Sequence, residues 1–551
     1  MVALIFVLSA LSLAAAAPFP GFPGSSHHSI FVKPGSGGIL CVLLPWLCPR
    51  DTQSATEVTT SIGTAKGVVN GTAVRFPVKY ASAGRWQESG VASKWELPNN
   101  SSDVTAMPLA CPQSDLDSSQ YSEDCLSMVL YVPATLTVSD NVPTLTWVHG
   151  GSFITGAAGD EGLDGSNLAS TTNSIVAVIQ YRLGGLGFMA PNGATNLAVK
   201  DVINALKFLQ KILPSFGGDR SKITLAGQSS GANLIRALLA VPSASCLFQS
   251  AILQSDPMNF GFLSTTTQET LQSSFNGLIS CGASDTACWD ALSLDDILDA
   301  QSTLFSNAPS LDASTGTAEP IRPVRDNTLI TSPLDSTDAF PSVSKPILIT
   351  SVLNEAGLTI YGSFTEQVDG AFFDLFADQF LGDERTAIID NSTFYTPTDE
   401  DDDTRIRLER LGTDYMWKCA KWTFARNWVS NGGTAYVGLY TVGASYPLND
   451  FVEFCHEDGK VCHRDDIEIV FGTVPNPSSV QAELISEMQQ RYKAFLHSGN
   501  PNVNGLATWN AAGPSDVKAL QLGATGEFEI GACVPSFWGT AVEYDYQVFG
   551  I

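Results

Sequence analysis

Positive charge is scarce in this sequence: 29 Lys and Arg stand against 56 Asp and Glu, a formal net charge of −27. A surface that acidic repels phosphate backbones and anionic headgroups, which excludes nucleic acid and anionic membranes as partners. Solubility in an acidic extracellular medium accounts for the excess. Long apolar runs are missing too. After the first seventeen residues nothing approaches the roughly twenty apolar residues of a membrane-spanning helix, so integral membrane association is not expected. No internal repeat, low-complexity tract or long linker divides the 551 residues into separate units. The acidic run from Asp399 to Asp403 lacks the ligand spacing of a calcium loop and reads as a solvated surface loop. Histidine is rare, with only six residues, which shortens any search for a catalytic base.

What is present begins with an apolar stretch over residues 1–17 that ends in Ala15-Ala16-Ala17, the pattern of a secretory signal peptide, although its usual positive start is absent. A Pro-, Gly- and Ser-rich beginning follows. We take residues 18–60 as an irregular lead and residues 61–551 as a single domain. Export to an oxidising compartment makes the 11 cysteines disulfide candidates. Cys111 with Cys125, Cys281 with Cys288, and Cys455 with Cys462 lie close enough in sequence to pair. Cys41 with Cys48 forms a possible fourth bridge and Cys419 with Cys533 a weaker fifth, which leaves Cys246 over. Asn70, Asn99, Asn100 and Asn391 each open a glycosylation sequon, as suits an exported glycoprotein.

Short apolar runs at 127–132, 144–148, 175–179, 222–226, 251–254, 346–350 and 435–440 read as strands. Helical spacing falls between them, in Val199, Val202, Ile203, Leu206, Leu209 and Leu213, and later in Leu484, Met488, Tyr492 and Phe495. Alternation of this kind predicts an α/β fold, a large and mostly parallel sheet covered by helices on both faces.

The most informative stretch is Gly227-Gln-Ser-Ser-Gly231, set between the apolar run at 222–226 and a helix-like segment from Leu234 to Ala240. A strand, a Gly-x-Ser-x-Gly turn and a helix describe a nucleophile elbow, with Ser229 held out above the sheet. The turn is tight enough that the positions two before and two after it have to lack side chains, and both are glycine. A serine hydroxyl needs a base, an acid to orient that base and donors for an oxyanion. His27 and His28 lie in the lead, His149 in a glycine-rich turn, and His497 at a helix end. That leaves His456 and His463, of which His463 is preferred because it precedes an apolar segment and is tied down by Cys462. The two Cys-His pairs also imitate zinc ligands, but in a secreted chain the disulfide has precedence and no metal is expected. For the oxyanion, Trp147-Val-His-Gly-Gly-Ser-Phe153 runs a strand into a glycine-rich turn, and Ser230 follows the nucleophile with a further N–H.

Together these residues resemble the type-B carboxylesterase/lipase family, which includes cholinesterases and secreted fungal lipases. The resemblance runs from about Gly67 to about Trp509. Ser122-Glu-Asp-Cys-Leu126 is similar to the family's signature around its first disulfide. Gln180-Tyr-Arg-Leu-Gly-Gly-Leu-Gly-Phe188, Asn196 to Asp201, Phe216-Gly-Gly-Asp219, Thr413-Asp414 and Gly499-Asn-Pro501 match later blocks. It implies the α/β-hydrolase fold and an acid at Glu355, within Ile349-Thr-Ser-Val-Leu-Asn-Glu-Ala-Gly357. The triad is then Ser229, Glu355 and His463, with oxyanion N–H groups from Gly151, Ser152 and Ser230. Five positions depart from the family pattern: Ser152, Ala356 and Arg464 replace common glycines, Gln228 a glutamate and Ser230 an alanine.

The implied activity is hydrolysis of a small-molecule or lipid-like ester through an acyl-enzyme, with no cofactor. In lid-bearing lipases of this family the first disulfide encloses a long amphipathic flap. Here the loop between Cys111 and Cys125 is short and polar, which favours an open esterase for short-chain, bulky or hydroxycinnamoyl (feruloyl-type) esters over an interfacially activated lipase or sterol esterase. Phe153, Phe260 and Phe262 are candidates either to line the site or to sit in the core. A non-catalytic binding protein on the same fold is the alternative of another class.

Overall fold

A computed structural model describes residues 55–542 apart from 317–318, 336–339, 342, 397–402 and 541. The signal peptide and the Cys41–Cys48 bridge lie outside the described residues, as does most of the acidic run. Within that run Asp403 is described. It caps the helix Thr404–Gly412 and forms an ion pair with Arg405.

The architecture is a ten-stranded sheet. We number its strands in chain order: β1 Val68–Asn70, β2 Ala73–Lys79, β3 Ser127–Pro133, β4 Val142–Val148, β5 Ile175–Ile179, β6 Gly218–Gln228, β7 Ser250–Gln254, β8 Pro346–Val352, β9 Thr434–Tyr440 and β10 Leu520–Leu522. Their spatial order is β10-β9-β8-β7-β6-β4-β5-β3-β2-β1. From β5 to β10 neighbours run parallel, whereas β5-β3, β3-β2 and β2-β1 are antiparallel.

Both faces of the sheet are covered, which is why its strands read as continuous apolar runs. Along β3, Met128 and Leu130 face one core while Val129 and Tyr131 face another, as the two-residue period of a strand requires. The helix Leu197–Ile212, called α1, lays Val199, Val202, Leu206 and Leu209 into the first core. The helix Ser479–Ser498 lays Leu484, Met488, Tyr492 and Phe495 into the second. Each of those eight side chains is at most 2% exposed, and burying one stabilises the fold by roughly 1.5–3 kcal/mol.

All seven strands expected from the sequence are present, with 175–179 unchanged, β6 longer by six residues and the other five longer by one or two. Glu57–Thr60 lies inside the stretch expected to be irregular, yet it pairs antiparallel with Gly63–Lys66. Bridges join Cys111 to Cys125, Cys281 to Cys288, Cys455 to Cys462 and Cys419 to Cys533, and Cys246 is free and exposed. The last bridge spans 114 residues and restricts the unfolded chain most, by about 5 kcal/mol in the chain-entropy model. Among the sequon asparagines, Asn100 and Asn391 are exposed. Asn70 and Asn99 are half-buried, their amides donating to Asp164 and to Met107 O, and the exposed Asn391 amide donates to Ala387 O.

Candidate active site

Strand β6 ends at Gln228, and the helix Ser230–Leu239, called α2, begins two residues later. Ser229 between them has φ 57° and ψ −130°, the strained turn expected of an elbow. The flanking glycines are required by contact. A Cβ on Gly231 would lie 2.2 Å from Val148 O, and one on Gly227 would lie 2.7 Å from the same atom. The end of β4 therefore presses against the elbow, and any side chain at either position would drive the two apart.

The proposed acid and base come from loops that the chain ties together. After β8 the turn at Asn354 bridges to the segment before His463: Asn354 N–H donates to Val461 O at 2.8 Å, and Val461 N–H to Asn354 Oδ1 at 3.2 Å. Glu355 and His463 then face each other, with His463 Nδ1 2.7 Å from Glu355 Oε2. The Cys455–Cys462 bridge, and Asn449 donating to His463 O at 2.8 Å, fix the histidine loop. The other candidate, His456, lies elsewhere on the surface beside Ser445 and Asp450.

Glu355 is fully buried, and its second oxygen is also satisfied. Oε1 accepts from Val352 N–H at 3.0 Å and from Lys421 Nζ at 3.3 Å. Lys421 reaches it from the helix Cys419–Ser430, called α3, and also donates to Thr350 O at 2.9 Å. Burial pushes the Glu355 carboxyl up, but the Lys421 charge and the hydrogen bond from His463 outweigh it and hold the group below its usual range. For His463 burial wins over the neighbouring carboxylate, so its imidazole is held below the usual histidine value.

On its other nitrogen, His463 Nε2 lies 3.0 Å from the amide nitrogen of Gln228, the residue before Ser229. An amide N–H donated there requires Nε2 to be the acceptor and places the imidazole proton on Nδ1, toward Glu355. That is the tautomer a general base needs, and the contact has to yield when the serine hydroxyl engages. Gln228→Glu is expected to place a carboxylate against Nε2, favour imidazolium and raise the histidine pKa. The acid limb of the kcat/KM profile should then move to higher pH by about one unit or more; an unmoved limb would show that the contact does not persist in solution.

Above the elbow, the turn Gly150 to Phe153 is braced on three sides. Phe153 N–H donates to Ser230 Oγ at 3.2 Å, which gives the serine found in place of the family's alanine a contact of its own. His149 stacks on Tyr181 with ring centres 4.6 Å apart, and the tyrosine hydroxyl donates to His149 O at 2.9 Å. Burial holds the His149 imidazole down at about 4, so it stays neutral. The N–H groups of Gly151 and Ser152 find no acceptor among the described residues. The Ser230 N–H opens α2, where no earlier turn can accept it. Two of the substituted glycine positions explain the family's preference: Ser152 has φ 51° and Arg464 φ 85°, both left-handed. Ala356 at φ −79° meets no such strain. Phe153, Phe260 and Phe262 are all buried, with Phe153 packed edge-on to Phe188 and the other two stacked against Arg322 and Arg236.

Sequence reasoning missed Lys421 and the contact of Gln228. Lys421 reads as an ordinary lysine in Cys419-Ala-Lys-Trp-Thr-Phe424, and nothing in that stretch marks it as a partner of Glu355. Among the described residues, Asp414, Cys419 and Cys533 are the one cluster of metal-ligand type, and the two cysteines are joined to each other.

A mostly parallel sheet with a strained serine elbow and an opposed histidine–carboxylate pair defines the α/β-hydrolase class. The comparisons narrow it further: residues 54–534 match the model of the carboxylesterase family, and the chain belongs to that family. It is 38% identical over 213 residues to the para-nitrobenzyl esterase of Bacillus subtilis (strain 168), covering 36% of this chain and 43% of that protein. Longer matches are to the cAMP-regulated D2 protein of Dictyostelium discoideum, 27% identical over 81% of this chain and 85% of the relative, and to the pyrethroid hydrolase Ces2a of Mus musculus, 26% identical over 74% and 75%. A solved PNB esterase structure superposes with a TM-score of 0.68 at 23% identity, over 85% of this chain and 96% of that one, and shares the fold.

Proposed function

We propose that this protein is a secreted serine esterase, a carboxylic ester hydrolase working through an acyl-enzyme with no cofactor. Its machinery is Ser229 as nucleophile, His463 as base and Glu355 as orienting acid, with oxyanion N–H groups from Gly151, Ser152 and Ser230. The observation that carries the reading is the 2.7 Å contact of His463 Nδ1 with Glu355 Oε2 beside a strained serine elbow. His463 Nε2 takes the Ser229 proton as the hydroxyl attacks the ester carbonyl. Glu355, already ionised, stabilises the imidazolium that forms. The free N–H groups meet the negative oxygen, where each donor contributes about 10²–10³ in rate. His463 then returns the proton to the leaving alcohol, and water repeats the sequence to release the acid.

The substrate range is short-chain, bulky or hydroxycinnamoyl esters. The polar loop over the first disulfide supports it, with Asp117 to Gln120 exposed and no helix formed there. A lipase reading has one observation in its favour. Leu375, Phe380 and Ile388 project to solvent from the helices Phe373–Leu381 and Asp383–Asp390, with Phe372 and Phe394 beside them. Four disulfides and the exposed sequons Asn100 and Asn391 support export and glycosylation. Among the described residues no helix is long and apolar enough to cross a membrane.

A panel of 4-nitrophenyl esters from acetate to palmitate, with methyl ferulate and a triglyceride emulsion, tests the range. We expect kcat/KM to be highest at four carbons or fewer, or on the ferulate, with no jump when the substrate forms an emulsion. A maximum at palmitate with interfacial activation would establish the lipase instead. No hydrolysis of any ester would return the chain to a binding role.

A further inference from the structure

The turn that carries two of the oxyanion N–H groups is strained along three residues. Gly151, Ser152 and Phe153 follow one another at φ 111°, 51° and 63°, and the last two have a Cβ that resists the left-handed region. Ser152 is held in that conformation from both sides. Before it, Gly151 O accepts from Ile154 N–H and Thr155 N–H, both at 3.0 Å. The C=O and N–H of a trans peptide point in opposite directions, so this grip turns the Ser152 N–H the other way. After it, Phe153 N–H donates to Ser230 Oγ at 3.2 Å and Phe153 O accepts from Gly184 N–H at 2.7 Å. Phe153 and Ser230 have no exposure, so the contact to the hydroxyl is made out of reach of solvent.

We propose that the Ser230 hydroxyl is a positioning group for the oxyanion donors. By holding Phe153 N–H it keeps Ser152 left-handed and its N–H on aim, and it ties that donor to the Ser230 N–H at the start of α2. The proposal rests on the acyl-enzyme reading given above. Ser230 then acts twice: its main chain supplies one donor, and its side chain sets where another stands, through a contact between residues 77 positions apart. The two serines that depart from the family pattern become a matched pair. A glycine at 152 takes a positive φ without cost and needs no tie, while an alanine at 230 offers none. A serine at 152 without the tie has a Cβ that drives it back toward negative φ, and the turn swings about that bond. A buried N–H that has lost its acceptor pulls the same way, because Phe153 has to move to find another partner.

The test is a double-mutant cycle on Ser230→Ala and Ser152→Gly. It is read as kcat and KM for 4-nitrophenyl butyrate and as Ki for an alkyl trifluoromethyl ketone, whose adduct with the nucleophile places an oxyanion among the same N–H groups. With Ser152 in place, Ser230→Ala is expected to lower kcat by about 10- to 100-fold and to keep KM within about twofold. The ketone should weaken by the same factor as kcat/KM. In the Ser152→Gly background the same substitution should cost at most about threefold in kcat. A loss of folding would strike both backgrounds alike, so the coupling separates positioning from a merely structural role. Undiminished kcat in Ser230→Ala, a loss confined to KM, or an equal loss in both backgrounds overturns the proposal. An active Ser229→Ala variant would overturn the acyl-enzyme reading instead.

Discussion

Ser229→Ala is expected to lower kcat by about 10⁴- to 10⁶-fold and to leave the fold and substrate binding in place. The loss is that large because no other group near His463 can form the acyl intermediate. The fold is kept because the elbow is held by backbone groups that alanine also has: Ser229 N–H donates to Gln254 O at 2.9 Å, and Asn233 N–H donates to Ser229 O at 3.0 Å. Single-turnover assays with 4-nitrophenyl acetate, together with the far-ultraviolet spectrum, check both halves. Turnover within tenfold of wild type would remove Ser229 from the mechanism.

Lys421→Met should be the most costly change away from the substrate. Neither side chain of the Lys421–Glu355 pair has any exposure, so removing the cation strands a carboxylate in the interior. Breaking one side of a buried pair costs about 3–5 kcal/mol. The Glu355 pKa should then rise, and a protonated Glu355 cannot stabilise the imidazolium, so kcat at pH 7 should fall by at least tenfold and recover partly as pH rises. The sign on stability follows from the direction of the shift. Glu355 is held below its usual range in the folded wild type, so its contribution is present above the ordinary carboxylate pKa and is lost as pH falls through the folded value. The stability gap between wild type and variant should therefore be wide at pH 7 and narrow at pH 4 in denaturant titrations. An equal gap at both values would mean that Lys421 acts through packing alone.

The elements that the sequence revealed are those with local signatures. Seven strands stood out because burial on both faces makes a parallel strand apolar along its whole length. Helix α1 and the helix Ser479–Ser498 stood out through their 3.6-residue period. Strand β2 was illegible for a physical reason: Ala73-Val-Arg-Phe-Pro-Val-Lys79 carries two cations and a proline, which argue against a strand inside a sheet. Yet Pro77 pairs with Val129 in the sheet. Strand β10 was too short, at three residues, to show a pattern.

The elbow was readable for the same local reason, since five adjacent residues carry both Ser229 and the glycines that allow its turn. Three disulfides were readable because their partners lie 14 or 7 residues apart. Glu355 was named only by resemblance. It stands 126 residues after Ser229 and 108 before His463, and nothing in its own neighbourhood marks it as an acid of a triad.

By itself, then, the amino-acid sequence determined seven of the sheet's ten strands, the serine turn and the short list of bases, because each depends on neighbours in the chain. Tertiary structure alone decided that Lys421 meets Glu355 and that Gln228 meets His463. These pairings join residues 66 and 235 positions apart, and burial together with the partners they bring sets how readily Glu355 and His463 ionise. A side chain's distance from water is a property of the packed fold, and no local pattern encodes it.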